Sequence, residues 1–340
     1  MSLLEVRDLT IRFPLASGLA VHAVDGVSFT VDEGESYGIV GESGSGKSTT
    51  ARALMRLLEP SSGSVRLGDH ILTELDGNAL IEVRHLLQMI FQDPYSSLNP
   101  RLRAGDAVRE PLDLMRLGTR KERDERVRQM LHAVGLHPEA ARLFPHQFSG
   151  GQRQRLCIAR ALVTEPKLVV CDEPVSALDV AIQAQILNML RRLQEEKGLT
   201  YVFISHDLAV IQHICTHVAV MYMGEIVEEA PVARFFSAAS HPYSWSLMAA
   251  ALSPQDRMHD APDFTIEGEP PSPIDPPKGC RFAGRCPFAS GKCRAEKPGL
   301  RTVERGHRVA CHYAGEIDPP LAQLAAFERG GERTGGRKTY

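Results

Sequence analysis

The stretch Tyr37-Gly38-Ile39-Val40-Gly41-Glu42-Ser43-Gly44-Ser45-Gly46-Lys47-Ser48-Thr49 decides the fold of this 340-residue chain. Its first four residues read as a short apolar strand, and the segment after Lys47 is rich in Ala, Leu and Met, which is typical of a helix. Between them, residues 41–48 fit the pattern G-x-x-x-x-G-K-[ST] in the strand-to-helix setting that the pattern requires. The sequence therefore predicts a phosphate-binding loop.

The chemistry of such a loop assigns a role to each residue type. Glycines let the backbone wrap closely around phosphates, and the start of the following helix supplies aligned N–H groups. Lys47 is expected to reach the β- and γ-phosphates of ATP, and Ser48 to offer its hydroxyl to Mg²⁺. The residues expected to hold the nucleotide here are Gly41, Ser43, Gly44, Ser45, Gly46, Lys47, Ser48 and Thr49. A glycine-rich turn with a chance Lys-Ser is the alternative, and the flanking apolar strand argues against it.

A second apolar run, Leu168-Val169-Val170-Cys171, ends in two carboxylates, Asp172 and Glu173. We expect this strand to deliver Asp172 to the magnesium shell beside the phosphate loop. Glu173 would then orient or deprotonate the attacking water. An acidic pair also commonly ends a strand where the chain meets solvent. Asp172 and Glu173 therefore indicate a catalytic site only in combination with the phosphate-binding loop at 41–48.

Further patterning indicates an α/β fold. Alternating residues at 3–13 and 21–31 predict antiparallel strands with a turn near 16–18, and residues 218–229 resemble a hairpin. Residues 104–162 are helical in pattern and highly charged. Apolar strands at 168–171 and 201–205 each lead into a helix, which predicts a parallel sheet covered on both faces.

Composition excludes several classes of protein. Lys plus Arg number 39 and Asp plus Glu 42, a net charge of −3, so there is no general basic field and we expect no nucleic-acid partner. No apolar run approaches the ~20 residues of a membrane span. The N-terminus lacks a cationic lead into an apolar stretch, so we expect a cytosolic chain unless a partner holds it at a membrane. Cys157, Cys171 and Cys215 lie in apolar segments and are expected in the core.

The segment Phe148-Ser149-Gly150-Gly151-Gln152 resembles the signature of the ABC ATPase family. Ser149 with the N–H groups of Gly150 and Gly151 at a helix start would make an anion site. The resemblance implies that this site, with Gln152, faces away from the chain's own phosphate loop and binds the γ-phosphate of ATP held by a second subunit. A flexible glycine turn before an Arg-rich helix is the alternative.

Other residues match the same family in order and spacing. Gln92 resembles the glutamine-loop residue, which contacts Mg²⁺ or water and links to the membrane partner. His206 resembles the switch histidine, Asp179 the dimer-contact loop, and Phe13 the aromatic residue that stacks on adenine, where many members have Tyr. A core phenylalanine is the alternative for Phe13. The resemblance implies a P-loop ABC ATPase fold with an antiparallel β-subdomain, a RecA-like parallel-sheet core and a helical subdomain at about 93–162.

Residues 91–101 and 241–243 resemble the dipeptide and oligopeptide importer ATPases of bacteria, and Gln152 resembles their second, F-type subunit. The resemblance implies ATP hydrolysis that powers import of di- and oligopeptides or related small solutes. Its implied partners are a second ABC ATPase subunit in a hetero- or homodimer, two membrane permease subunits and, indirectly, a solute-binding protein. The chain would lie on the cytoplasmic face of the bacterial inner membrane. A soluble ABC ATPase acting on ribosomes or DNA, and an ABC exporter ATPase, are the alternatives.

The C-terminal part has a different composition. We predict a nucleotide-binding domain at 1–252, a Pro-rich linker at 253–278, a cysteine module at 279–313 and a disordered tail at 314–340. Cys280, Cys286, Cys293 and Cys311 have five, six and seventeen intervening residues, without the C-x-x-C typical of zinc. The resemblance implies a [4Fe–4S] cluster on these four; zinc and free thiols are the alternatives. So short a module is expected to owe most of its order to a bound metal.

Overall fold

The computed structural model describes residues 2–251 and 268–317. Its strands are β1 (Ser2–Pro14), β2 (Ala20–Asp32), β3 (Ser36–Val40), β4 (Ser62–Leu67), β5 (His70–Ile71), β6 (Leu87–Ile90), β7 (Leu168–Asp172), β8 (Thr200–Ser205), β9 (His217–Tyr222), β10 (Glu225–Pro231), β11 (Arg301–Glu304) and β12 (His307–Val309). Its α-helices are α1 (Lys47–Leu54), α2 (Gly77–Val83), α3 (Pro94–Ser97), α4 (Ala104–Leu114), α5 (Arg120–Ala133), α6 (Gly150–Leu162), α7 (Val180–Lys197), α8 (Leu208–Ile214), α9 (Val232–Ala238), α10 (Pro242–Ala251) and α11 (Gly291–Ala295). None of the helices in these two ranges is long and apolar enough to cross a bilayer. Most of the predicted linker at 253–278 and the tail beyond 317 lie outside the described residues.

The N-terminal strands form a four-stranded sheet in the order β2-β1-β4-β5. Strands β1 and β2 are antiparallel, and Phe13 lies opposite Val21 near the turn that joins them. The antiparallel pair predicted from alternation is therefore confirmed, with each strand one residue longer at either end than predicted.

The main sheet has eight strands in the order β11-β12-β10-β9-β3-β8-β7-β6. Strand β3, which feeds the phosphate loop, runs parallel to both β8 and β9. Strand β7, which ends at Asp172, runs parallel to β8 and β6. Because the carboxyl ends of parallel strands meet at one edge of a sheet, the ends of β3, β7 and β8 bring three predicted site segments together.

Alternate residues of these strands face two different cores, which explains their nearly continuous apolar sequences. Ile39 and Val170 pack with β1, β2 and α1 in one core. Val40 and Cys171 pack with α4, α6, α7 and α8 in the other. Cys157, Cys171 and Cys215 are all buried, as predicted.

The C-terminal segment completes the main sheet, which the sequence did not lead us to expect. Strand β12 pairs with β10, and β11 pairs with β12. The ring of Phe282 is 1% exposed and belongs to the same core as α6 and α8. Backbone pairing and core packing against the nucleotide domain thus hold this segment, a source of order that the sequence did not indicate beside the expected metal.

A buried carboxylate reinforces that attachment. Glu228 on β10 has no exposed surface, and its Oε1 lies 2.7 Å from His307 Nε2 on β12. The same carboxylate accepts hydrogen bonds from the backbone N–H groups of Ser240 at 2.6 Å and His241 at 3.0 Å. A charged group this deep requires such partners. Glu228 therefore joins β10, β12 and the start of α10 at one point.

Candidate nucleotide site

The turn between β3 and α1 requires glycine at two positions. Gly46 has φ 104°, and a Cβ there would lie 2.3 Å from the carbonyl oxygen of Ala23. Gly41 has φ 156°, and a Cβ there would lie 2.2 Å from the carbonyl oxygen of Met221. The loop therefore lies directly against β2 and β9, as only a residue without a side chain permits.

Lys47, the first residue of α1, is 5% exposed and points back along the loop. Its Nζ donates hydrogen bonds to the carbonyl oxygens of Gly41 and Glu42, both at 2.8 Å. Burial lowers the pKa of Lys47, and the carboxylates of Glu173, Asp172 and Glu42 oppose that shift. A buried ammonium facing a glycine-rich loop can bind an anion strongly, because little water screens it.

Ser48 and Asp172 connect the loop to β7. The Ser48 hydroxyl donates to Asp172 Oδ1 at 2.9 Å. Asp172 is 6% exposed, and burial raises its pKa. Hydroxyl and carboxylate oxygens are ligands that Mg²⁺ prefers, so this pair is suited to hold the ion beside the phosphates.

Glu173 lies at the centre of a second group of polar side chains. Its Oε2 accepts a hydrogen bond from Gln92 Nε2 at 2.8 Å, and its Oε1 lies 3.1 Å from His206 Nδ1. Its backbone has φ 49°, a left-handed conformation that is uncommon for a residue other than glycine. Such strain clusters at functional sites. Gln92 and His206 therefore both contact the carboxylate of Glu173, and these are the three residues that the sequence predicted for hydrolysis.

A cavity of about 590 Å³ brings nine of the predicted residues together. The predicted residues that line it are Ser43, Gly44, Gly46, Lys47, Ser48, Thr49, Gln92, Glu173 and His206. Val21, His22, Ala23, Met223 and Pro273 also line it, and sequence reasoning missed all five. Val21, His22 and Ala23 lie on β2, where an alternating strand pattern gave no sign of a binding role.

Four further predicted residues lie at or near the cavity without lining it. Gly41 and Ser45 are buried in the loop, and both contact Lys47 Nζ. Asp172 reaches the cavity through Ser48. Phe13 is 40% exposed and lies opposite Val21, which does line the cavity. This placement disfavours the core alternative for Phe13.

The signature segment and Asp179 are not among the described residues that line this cavity. Ser149 precedes α6, and its hydroxyl accepts from the backbone N–H of Gln152 at 3.4 Å, while Gln152 Oε1 accepts from the Ser149 N–H at 3.0 Å. Gly150 and Gly151 pack against Leu178 and Ile182. Asp179 begins α7, where it accepts from the N–H of Ile182 at 3.0 Å. The starts of α6 and α7, which carry the signature segment and Asp179, therefore pack against each other.

The four C-terminal cysteines gather at a separate small cavity. Cys280, Cys286, Cys293 and Cys311 all line it, together with aromatic and apolar residues, and its volume is about 20 Å³. Burial raises the pKa of Cys280 to about 11 and that of Cys286 to about 12. Within residues 2–251 and 268–317, no three His, Cys, Asp or Glu side chains are arranged as a ready ligand set for a metal ion. The four cysteines thus line one cavity without forming such a set.

Comparison with known proteins agrees with this geometry. A family model described as ABC transporter matches residues 24–176, and one described as the C-terminal region of oligopeptide/dipeptide transporters matches residues 227–293. The chain is 49% identical over 336 residues to a probable peptide ABC transporter ATP-binding protein, y4tS, of Sinorhizobium fredii, covering 95% of each chain. It is 45% identical to the di/tripeptide transport ATP-binding protein DppF of Pseudomonas aeruginosa, covering 92% of this chain and 98% of that one.

Solved structures resemble the chain over the nucleotide domain. The dimeric ATP-binding cassette MJ0796, in a post-hydrolysis state bound to ADP and Pi, superposes with a TM-score of 0.62 at 31% identity. That match covers 67% of this chain and 98% of the cassette. A phosphate loop, a magnesium-suited pair and a glutamate between Gln92 and His206 thus occur on the fold of ATP-binding cassettes. The chain belongs to the ATP-hydrolysing, ATP-binding subunits of ABC transporters, in their oligopeptide and dipeptide group.

Proposed function

We propose that this chain hydrolyses ATP to power the import of di- or oligopeptides or related small solutes. One observation carries the proposal: a single cavity is lined by Lys47 and Ser48 from the phosphate loop and by Glu173 and His206 from two neighbouring strand ends. Phosphoryl transfer needs positioning and charge stabilisation more than covalent chemistry from the protein, and these residue types supply both.

Within that cavity each side chain has a proposed role. Lys47 binds the β- and γ-phosphates, with the loop N–H groups around it. Ser48, Asp172 and Gln92 hold Mg²⁺, which would neutralise charge on the phosphates. Glu173 orients or deprotonates the attacking water, and His206 contacts the γ-phosphate. Phe13, exposed beside Val21, stacks on adenine.

We propose that the second half of each ATP site comes from another subunit. Ser149, Gly150, Gly151, Gln152 and Asp179 form a unit outside the lining of the cavity, so they are available to ATP held by a partner. The cassette MJ0796 is dimeric, which supports this arrangement. Because DppF and the oligopeptide transport ATP-binding protein AppF of Bacillus subtilis are 45% identical to this chain, we assign it to the F-type subunits of a heterodimer, with a homodimer as the alternative.

The remaining partners follow from the transport role. Two membrane permease subunits would bind the helical part at about 93–162, and a solute-binding protein would deliver the peptide to them. The chain would then lie at the cytoplasmic face of the inner membrane as a peripheral subunit. The proposal also divides the chain into a nucleotide domain at 1–252 and a C-terminal segment at 279–313.

Reconstitution tests the transport role. The chain, its ATPase partner and their permeases would be assembled in proteoliposomes with a peptide-loaded binding protein outside. We expect ATP-dependent peptide accumulation that Lys47→Ala abolishes. Hydrolysis stimulated by ribosomes or DNA and indifferent to permeases would contradict the importer role.

We also propose that the four C-terminal thiols hold a metal centre, a [4Fe–4S] cluster first and zinc second. The donor set fits, since four thiols are the usual ligands of such clusters and of structural zinc. Because burial raises the pKa of Cys280, Cys286 and Cys311, a cation would be needed to keep them ionised. A cavity of about 20 Å³ holds one small atom, so a cluster requires the walls to move apart.

Metal analysis of anaerobically purified protein tests that proposal. About four iron atoms per chain with absorbance near 400 nm would support the cluster, and one zinc without iron the alternative. Four thiols titratable with a disulfide reagent, with neither metal present, would contradict both.

A further inference from the structure

An arginine of the C-terminal segment reaches the phosphate loop. Arg285 Nη1 donates to Glu42 Oε2 at 2.9 Å, and Arg285 Nη2 donates to Glu42 Oε1 at 3.2 Å. The Arg285 side chain is 10% exposed and that of Glu42 is 35% exposed. Two parallel charge-assisted bonds of this kind fix geometry as well as charge, and partial burial strengthens them.

A tyrosine of α10, Tyr243, holds the backbone of Glu42. The N–H of Glu42 donates to the hydroxyl of Tyr243 at 2.8 Å. Tyr243 packs against Tyr222 and Phe282, with ring centroids 4.6 and 5.5 Å away. The Arg285 guanidinium lies 5.9 Å from the Tyr222 ring. Both the carboxylate and the amide of Glu42 are therefore fixed by side chains that the C-terminal core supports.

Glu42 in turn contacts the lysine of the loop. Its carbonyl oxygen accepts a hydrogen bond from Lys47 Nζ at 2.8 Å. Arg285, Glu42 and Lys47 thus form a continuous series of contacts from the C-terminal segment to the phosphate-binding ammonium. Without Arg285, the Glu42 carboxylate would be unpaired in the loop that has to accept a polyphosphate. The unpaired Glu42 carboxylate would repel the negatively charged polyphosphate, and partial burial limits the screening of that repulsion by water.

We propose that Arg285 is a positioning residue for ATP binding, which holds Glu42 in place and neutralises it, so that the C-terminal segment sets the nucleotide affinity of the phosphate loop. This inference rests on the proposed role of Lys47. It goes beyond that role because it assigns a function to a side chain outside the nucleotide motifs, about 240 residues along the chain from the loop that it serves.

The chain offers a matched control in Arg308. This residue also lies in the C-terminal segment and makes an ion pair, with Glu229 on β10, but it contacts the N-terminal sheet through the carbonyl of Ser28. It is not among the described residues that line the nucleotide cavity or contact the loop. Replacing Arg308 therefore weakens the attachment of the same segment without freeing Glu42.

The experiment measures the Kd of MgATP by calorimetry on the full-length chain carrying Glu173→Gln, which prevents turnover. Arg285→Met, which keeps the aliphatic stem against Tyr222, is expected to weaken binding about tenfold, or about 1.4 kcal/mol. Arg308→Met is expected to stay within about twofold, since an ion pair remote from the loop contributes little to binding. Arg285→Lys, which keeps the charge but not the fork, is expected between these values.

A second substitution separates positioning from a general structural effect. Adding Glu42→Ala to Arg285→Met should recover most of the lost affinity, because it removes the unpaired carboxylate. Equal affinities for the Arg285 and Arg308 variants, or no recovery with Glu42→Ala, would overturn the inference. If Arg285→Met does not fold, Arg285→Lys alone decides, and unchanged affinity there counts against the proposal. Lys47→Ala tests the nucleotide site separately: retained MgATP binding would contradict the site, whatever Arg285 does.

Discussion

Truncation of Phe282 tests whether packing or a metal orders the C-terminal segment. The ring is 1% exposed, with the rings of Tyr222, Tyr243 and His241 at centroid distances of 5.3, 5.5 and 5.7 Å. Deleting a fully buried phenylalanine ring costs about 3–5 kcal/mol, because the transfer free energy is lost and a cavity remains. A domain is stable by about 5–15 kcal/mol, so Phe282→Ala should remove a large share of the free energy of unfolding.

Phe288 provides the matched control in the same segment. It is 37% exposed, and its ring meets Trp245 edge-on with centroids 5.9 Å apart. Because less of its surface is buried, Phe288→Ala should cost about 1–2 kcal/mol. Urea unfolding of the full-length variants, followed by circular dichroism, gives both values. Limited proteolysis should show cleavage within residues 268–317 for Phe282→Ala before it does so for Phe288→Ala.

The opposite pattern would refute the reasoning. If Phe282→Ala costs less than about 1 kcal/mol while removal of metal by a chelator releases the segment to protease, a metal orders it. If the protease cleaves the segment only when Phe282→Ala is combined with removal of metal, then either packing or metal alone is enough to order it. The structure favours the first cause, since β12 pairs with β10 and Glu228 contacts His307 without help from the thiols.

Three further predictions concern hydrolysis, the composite site and pH. Glu173→Gln should lower the ATPase rate about 10²–10⁴-fold and accumulate an ATP-bound dimer on size-exclusion chromatography; a monomer with full turnover would contradict it. Ser149→Ala should leave the MgATP affinity of the isolated chain within about twofold, while the ATPase of the assembled pair falls more than about tenfold. An ion pair with Glu35 raises the pKa of His217 above 6.5, so its stabilisation is present below that pH and lost as pH rises through the raised pKa. As the pH rises through the raised pKa of His217, the free energy of unfolding of the wild-type protein should therefore fall, and that of His217→Gln should not. Urea titrations at a series of pH values would measure both.

Much of the fold could be predicted because it depends on local patterns. The strand, glycine turn and helix at 37–54 needed only neighbouring residues, and so did β7 with its two terminal carboxylates. The position of Asp172 and Glu173 beside the phosphate loop could be predicted from the apolar strand that precedes them, because the carboxyl ends of parallel strands share an edge, whereas His206 was assigned by resemblance. Phe13 and the Ser149 segment were assigned roles by resemblance. In the structure Phe13 lies beside the cavity, and the Ser149 segment is not among the described residues that line it.

The C-terminal contacts could not be predicted for a physical reason. Arg285 meets Glu42 only because β12 adds to the far side of β10 and Phe282 enters the core, and neither contact has a local sequence pattern. The proline-rich composition and the four cysteines instead indicated a separate module that a metal would order. Pro273 shows the same limit: its carbonyl accepts from the His22 N–H at 2.9 Å, beside the nucleotide cavity.

The charges around Lys47 explain why the loop needs Arg285. Three carboxylates, those of Glu173, Asp172 and Glu42, act on one buried ammonium, so the cavity would repel a polyphosphate if all three were uncompensated. Asp172 accepts from Ser48, the pair that we propose to hold Mg²⁺, and Glu173 already accepts from Gln92 and lies against His206. Glu42 has no such partner within the loop, and its counter-charge comes from Arg285. Each carboxylate is thus balanced by a different part of the chain, which makes the C-terminal segment a component of the nucleotide site.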